Sequence, residues 1–69
     1  MSKRDTDFYK KMDTYTAVAI AEGFDGEERT EEEVITAWQF IIDKKLYQSL
    51  QGWFGRTARQ LIDQGICEA

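Results

Sequence analysis

The chain contains no proline, and its apolar residues fall at intervals of three and four in three separate blocks. Residues spaced in this way line one side of an α-helix, and no pyrrolidine ring interrupts the backbone hydrogen bonds that such helices need. Ala, Glu, Lys, Gln and Leu, all good helix formers, fill much of the remainder. The pattern predicts an all-α fold, and the details concern where each helix starts and stops.

In the first block, Phe8, Met12, Tyr15, Ala19 and Glu22 follow the spacing of one helix face, and Val18 widens it. The spacing predicts a helix over about 5–22, capped by Ser2 or Asp5. Gly23 ends it in a left-handed conformation, with Phe24 folding back onto Ala19 and Ile20. Asp25-Gly26 reads as a turn. Thr30-Glu31-Glu32-Glu33 is a capping-box sequence: Thr30 accepts from the Glu33 amide while Glu33 reaches back to the Thr30 amide. Three glutamates in a first turn also suit the positive end of the helix dipole.

A second helix over 30–43 then turns Val34, Ala37, Trp38 and Ile41 inward, flanked by Ile35 and Ile42. Phe40 falls about 120° from that stripe and is expected to be exposed or at a contact. The apolar phase shifts at Asp43-Lys44-Lys45, which predicts a tight turn near 44–46 and a third helix over 46–64. Leu46, Leu50, Phe54, Thr57 and Leu61 share the inward face of that helix. Gly65 and Ile66 follow in the order of a Schellman ending on Leu61. A competing reading keeps residues 30–51 as one helix, stopped by Gly52, with a shorter helix from Trp53 onward. The expected architecture is one domain, 1–69, of three helices. The second and third form an antiparallel hairpin, and the first packs across it.

A core of this size rarely supplies more than ~3–5 kcal/mol. Cys67 is the only cysteine, so no disulfide adds to it within the chain; a single thiol fits a reducing compartment. No apolar run approaches the ~20 residues of a membrane span. Lys3 and Arg4 are followed at once by acidic and polar residues, unlike a signal peptide. A cytoplasmic protein without membrane association is expected.

The net charge is −4. Acidic residues crowd 22–33 (Glu22, Asp25, Glu27, Glu28, Glu31, Glu32, Glu33), opposed there only by Arg29. The basic residues Lys3, Arg4, Lys10 and Lys11 lie near the N-terminus. Nucleic-acid binding needs a clustered basic face, which an acidic chain of this kind disfavours. The acidic run is accounted for by a solvated loop and a helix start, although such a run also suits a basic protein partner.

Catalysis is not expected. The chain has no histidine, the commonest acid–base group. No serine or cysteine has a base beside it, and no alternation of oxygen ligands suggests a metal. No catalytic, cofactor-binding or metal-binding residue is assigned.

The feature that asks for an explanation is Leu50-Gln51-Gly52-Trp53-Phe54-Gly55-Arg56-Thr57-Ala58. On a continuous third helix, Gly52, Gly55, Arg56 and Arg59 project away from the apolar face. Each glycine inside a helix costs about 0.8–1.0 kcal/mol relative to alanine. Close approach of another backbone explains a glycine kept in such a place. A helix break at 52–55, or a tight contact within the fold, explains it equally well. Gly52, Trp53, Gly55, Arg56, Arg59 and Phe40 form the candidate set for contact with a partner.

The string just quoted, together with Ala37-Trp38-Gln39-Phe40-Ile41-Ile42-Asp43, Leu61-Ile62 and Gly65-Ile66-Cys67, resembles a family of very short bacteriophage-encoded proteins of uncharacterised function. The resemblance covers roughly 31–67. Relatives often carry Thr-Gly where this chain has Lys44-Lys45. The resemblance implies a phage genome and expression in a bacterial cytoplasm, and it transfers no catalytic residue. The expected function is that of a non-catalytic phage accessory protein that binds a host factor or phage component, with homodimerisation as one form of contact. The alternatives are a nucleic-acid-associated module using Arg56, Arg59 and the basic N-terminus, and a self-assembling structural protein.

Overall fold

The computed structural model describes residues 6–23 and 28–68. The protein is all-helical: α1 (Asp7–Lys10), α2 (Thr14–Glu22), α3 (Glu31–Asp43), a 3₁₀ turn (Leu46–Gln48) and α4 (Gly52–Asp63). The three long helices are those expected, with differences at two joints. The Ser2 and Asp5 caps, the Phe24 contact and the Asp25-Gly26 turn lie outside the described residues.

The first difference is that the opening helical segment is interrupted. Thr6 caps α1 by accepting from the Tyr9 amide at 3.1 Å. At Asp13 the backbone turns extended (ψ 174), and its carboxylate accepts from the Thr16 amide at 2.7 Å, starting α2 afresh. An aspartate ahead of two β-branched threonines favours a cap over a helix interior. Hydrogen bonds from the backbone and side chain of Thr16 hold the Asp13 carboxyl below its ordinary value of 3.8. The interruption resets the helical phase. Met12, Ala17 and Ile20 are buried, while Tyr15, expected inside, is exposed.

The organising element is α3. Its start is the capping box read from the sequence: Thr30 Oγ1 accepts from the Glu33 amide at 3.1 Å, and Glu33 Oε1 accepts from the Thr30 amide at 3.0 Å. Thr30→Ala should lower stability by ~0.5–2 kcal/mol. Matching denaturant midpoints for variant and parent would count against this cap.

Every residue of α3 from 36 to 42 is buried. A helix with one inward stripe cannot do this; a helix covered on more than one side can. On one side lie α1 and α2. On another, Trp53 and Phe54 at the start of α4 meet Trp38, and Cys67 beyond its end meets Ile35. The principal helix packing is α2 on α3, and α4 meets α3 through these few side chains rather than along its length, so the expected antiparallel hairpin of the last two long helices is not what builds the core. Arg29 lies over the Phe8 ring at 5.6 Å, joining the entrance of α3 to α1.

The joint between α3 and α4 combines the two expected readings. As in the first, α3 stops at Asp43. As in the second, the last helix starts only at Gly52. Lys45 is left-handed (φ 55, ψ 31), the only non-glycine residue with positive φ among those described. The chain then makes the 3₁₀ turn and resets through an extended Gln51 (ψ 153), which offers no side-chain cap. Leu46 and Leu50 still pack against the core, from the connection rather than from a helix face. Left-handed backbone costs a residue with a Cβ about 1–2 kcal/mol. Lys45→Gly should therefore raise stability by about 1 kcal/mol. A lower melting temperature in this variant would show that the lysine side chain contributes more than its backbone loses.

The C-terminal end follows the Schellman expectation. Gly65 is left-handed (φ 76), and the Ile66 amide donates to the Leu61 carbonyl at 2.9 Å. Beyond it, the chain is pinned to α3 by Gln39, only 1% exposed. Its Nε2 donates to Asp43 Oδ1 (3.0 Å) and to the Glu68 carbonyl (2.9 Å), while its Oε1 accepts from the Glu68 amide (2.9 Å). Asp43 Oδ2 accepts from the Tyr9 hydroxyl at 2.6 Å. One buried amide and one carboxylate on α3 thereby connect α1 to the C-terminal segment.

Candidate partner-contact surface

The outward side of α4 carries Gly52, Gly55, Arg56 and Arg59, because positions 0, 3, 4 and 7 of a helix lie on one side. The inward side carries Phe54 and Ala58, both buried, which fixes the orientation of the helix. The helix runs without interruption from Gly52 through Gly55, and neither glycine has a positive φ.

The surroundings of the two glycines differ. A Cβ at Gly52 would meet only the Arg56 guanidinium, at 3.5 Å, an ordinary contact with a movable group. A Cβ at Gly55 would meet nothing within 4 Å. Neither a special backbone conformation nor a close neighbour within the fold therefore requires glycine at 55. Beside it runs a groove of about 470 Å³ between the 3₁₀ turn and α4, lined by Tyr47, Gly55, Ala58, Arg59, Ile62 and Asp63.

The two arginines are not equivalent. Arg59 Nε donates to Asp63 Oδ1 at 3.2 Å, an exposed pair one turn apart. Such a pair is worth only a few tenths of a kcal/mol, about 0.3–0.5. Arg56 is exposed and makes no ion pair or hydrogen bond with the described residues. Its planar fork is free to take a carboxylate or another planar acceptor in bidentate fashion.

The other two candidate residues stand apart from this face. Trp53 is half-buried, with its ring stacked on Phe54 at 4.0 Å and edge-on to Trp38 at 6.1 Å. It borders the face and belongs chiefly to the aromatic cluster beneath. Phe40 is not a surface residue. It is 8% exposed, packed edge-on against Tyr9 at 5.7 Å and covered by the Lys44 ammonium at 5.8 Å. The expectation of exposure assumed one buried stripe on α3, and α1 covers the side on which Phe40 lies.

Sequence reasoning missed one surface residue, Tyr15, which is 83% exposed. The signal that finds it is Asp13-Thr14 within the first apolar block, a helix start where the spacing suggested continuity.

No group of acidic or cysteine side chains among the described residues is placed to hold a metal ion. No helix among them is long and apolar enough to cross a membrane. Comparison of the chain with protein-family models, with curated proteins and with solved structures found no match.

Proposed function

We propose that this chain is a non-catalytic bacteriophage accessory protein, acting in the bacterial cytoplasm by binding a host factor or another phage component through the outward face of α4. The observation that carries the reading is Gly55. It sits inside a helix at a cost of about 0.8–1.0 kcal/mol relative to alanine. Its missing Cβ leaves open space on a half-buried position beside a groove. A partner backbone seated there gains the close approach that only glycine permits. Arg56, free of partners among the described residues, supplies the polar anchor at the rim.

Capture from a bacterial lysate tests this reading, with the unaltered protein and Arg56→Glu/Arg59→Glu used side by side. Both positions are exposed, so the variant keeps the fold, which circular dichroism checks. The expected result is a protein retained by the parent and lost from the charge-reversed form. Equal retention by both sinks the reading. Titration against DNA and RNA distinguishes the nucleic-acid alternative, which requires binding that falls steeply with salt.

A further inference from the structure

We propose that the outward face of α2 is a homodimer seam, in which two α2 helices pack antiparallel about a two-fold axis passing between Val18 and Ala19. The inference is independent of the α4 reading, since it concerns a different helix and a different partner.

The first ground is that α2 is apolar on both sides. Ala17 and Ile20 are buried, at 0% and 4% exposure. On the opposite side lie the exposed Tyr15 and the half-buried Val18 and Ala19, of which Val18 also packs against the core. Tyr15 is the one large apolar side chain that is exposed among the described residues. A helix with apolar side chains on two sides gains burial when both sides are covered. The outward side here forms a groove of about 510 Å³ lined by Thr14, Tyr15, Val18, Ala19 and Glu22.

The occupant is identified by what this face presents. Among the described residues that line it, Glu22 is the only charged one, Thr14 and Tyr15 both carry hydroxyls at the opposite end, and the groups that pairing would join are Glu22 and Tyr15. The two lie seven residues, or two turns, apart on one side of the helix. Antiparallel pairing about their midpoint sets each Tyr15 opposite Glu22 of the second copy. A phenol hydroxyl then donates to a carboxylate at both ends of the seam, and each helix start lies beside the other's end, which the dipoles favour. Ala19 at the axis lets the helices approach within the ~8–10 Å of ordinary helix packing. A patch whose donor and acceptor are exchanged by a two-fold rotation is self-complementary, which is what an isologous interface requires.

Sedimentation equilibrium over about 10 μM to 1 mM tests the proposal, a range that covers the weak affinities a short seam provides. The protein is expected to pass from monomer to dimer across it. Tyr15→Glu places a carboxylate opposite Glu22 and should weaken the dimer at least about tenfold in Kd. Tyr15→Ser, which removes the ring without adding charge, should weaken it as well. Adding Glu22→Lys to Tyr15→Glu restores opposite charges and should restore the dimer. Circular dichroism should be unchanged throughout, because Tyr15 supports little of the fold at 83% exposure. A protein that stays monomeric across the range overturns the proposal and leaves this face to another partner. A dimer indifferent to Tyr15→Glu, or one that the double variant does not recover, overturns it too.

Discussion

Trp38→Ala is expected to leave the protein largely unfolded at 25 °C. Trp38 is 5% exposed at the centre of α3. Its ring meets Phe54 at 5.7 Å and Trp53 at 6.1 Å, so it forms the main junction between α3 and the start of α4. Truncating a buried aromatic side chain costs about 3–5 kcal/mol, through lost transfer free energy and the cavity left behind. A core this small supplies about the same total, ~3–5 kcal/mol. Trp38→Phe keeps a ring in the cluster and should cost less. Far-ultraviolet circular dichroism with thermal melting measures both. A melting curve for Trp38→Ala that matches the parent would contradict the placement of α3 at the centre of the fold.

Gln39→Leu is expected to release the C-terminal segment. Leucine fills most of the volume but offers neither donor nor acceptor. The Glu68 amide and carbonyl and Asp43 Oδ1 each lose the bond that Gln39 makes to them. Each lost bond of this kind is worth about 0.5–1.5 kcal/mol, more where a charged group takes part, and the segment replaces them with bonds to water by leaving α3. Cys67 reports the event directly. It is 2% exposed, and its thiol lies 3.8 Å from the Ile35 carbonyl. In the parent the thiol should react slowly with a soluble disulfide reagent, through opening of the fold. In Gln39→Leu it should react at least about tenfold faster, equivalent to ~1.4 kcal/mol of easier opening. Equal rates would show that the Gln39 bonds are not what holds the segment in place.

The parts of this fold legible in the sequence are those set by local chemistry. Thr30-Glu31-Glu32-Glu33 starts α3, and Gly65-Ile66 closes α4, because each arrangement satisfies backbone groups within one or two turns. The grouping of Gly52, Gly55, Arg56 and Arg59 was legible for the same reason, since helical spacing alone puts them on one side. What the sequence concealed depends on neighbours distant along the chain. Phe40 lies off the stripe of α3 and is buried only because α1 covers that side. Gln39 reads as an ordinary polar helix residue until the C-terminal segment returns to it, twenty-nine positions later. Tyr15 was misplaced by a competition between two local signals, continuous apolar spacing and the Asp13 cap, which the cap won. Lys45 took the left-handed position without the glycine that would have announced it.

Gly55→Ala, with melting temperature and partner capture measured on the same preparation, tests most directly whether the outward face of α4 is kept for a partner. The added methyl group meets nothing within 4 Å in the protein itself, and the backbone there is ordinary helix. The variant should therefore be more stable than the parent by about 0.8–1.0 kcal/mol, a rise in melting temperature of several degrees for a domain this size. The same methyl group should obstruct a backbone seated against position 55, and the variant should retain less of the protein that the parent captures. A variant that is less stable and captures its partner as well as the parent would contradict a contact role for this face, and would return Gly55 to the internal requirements of the fold.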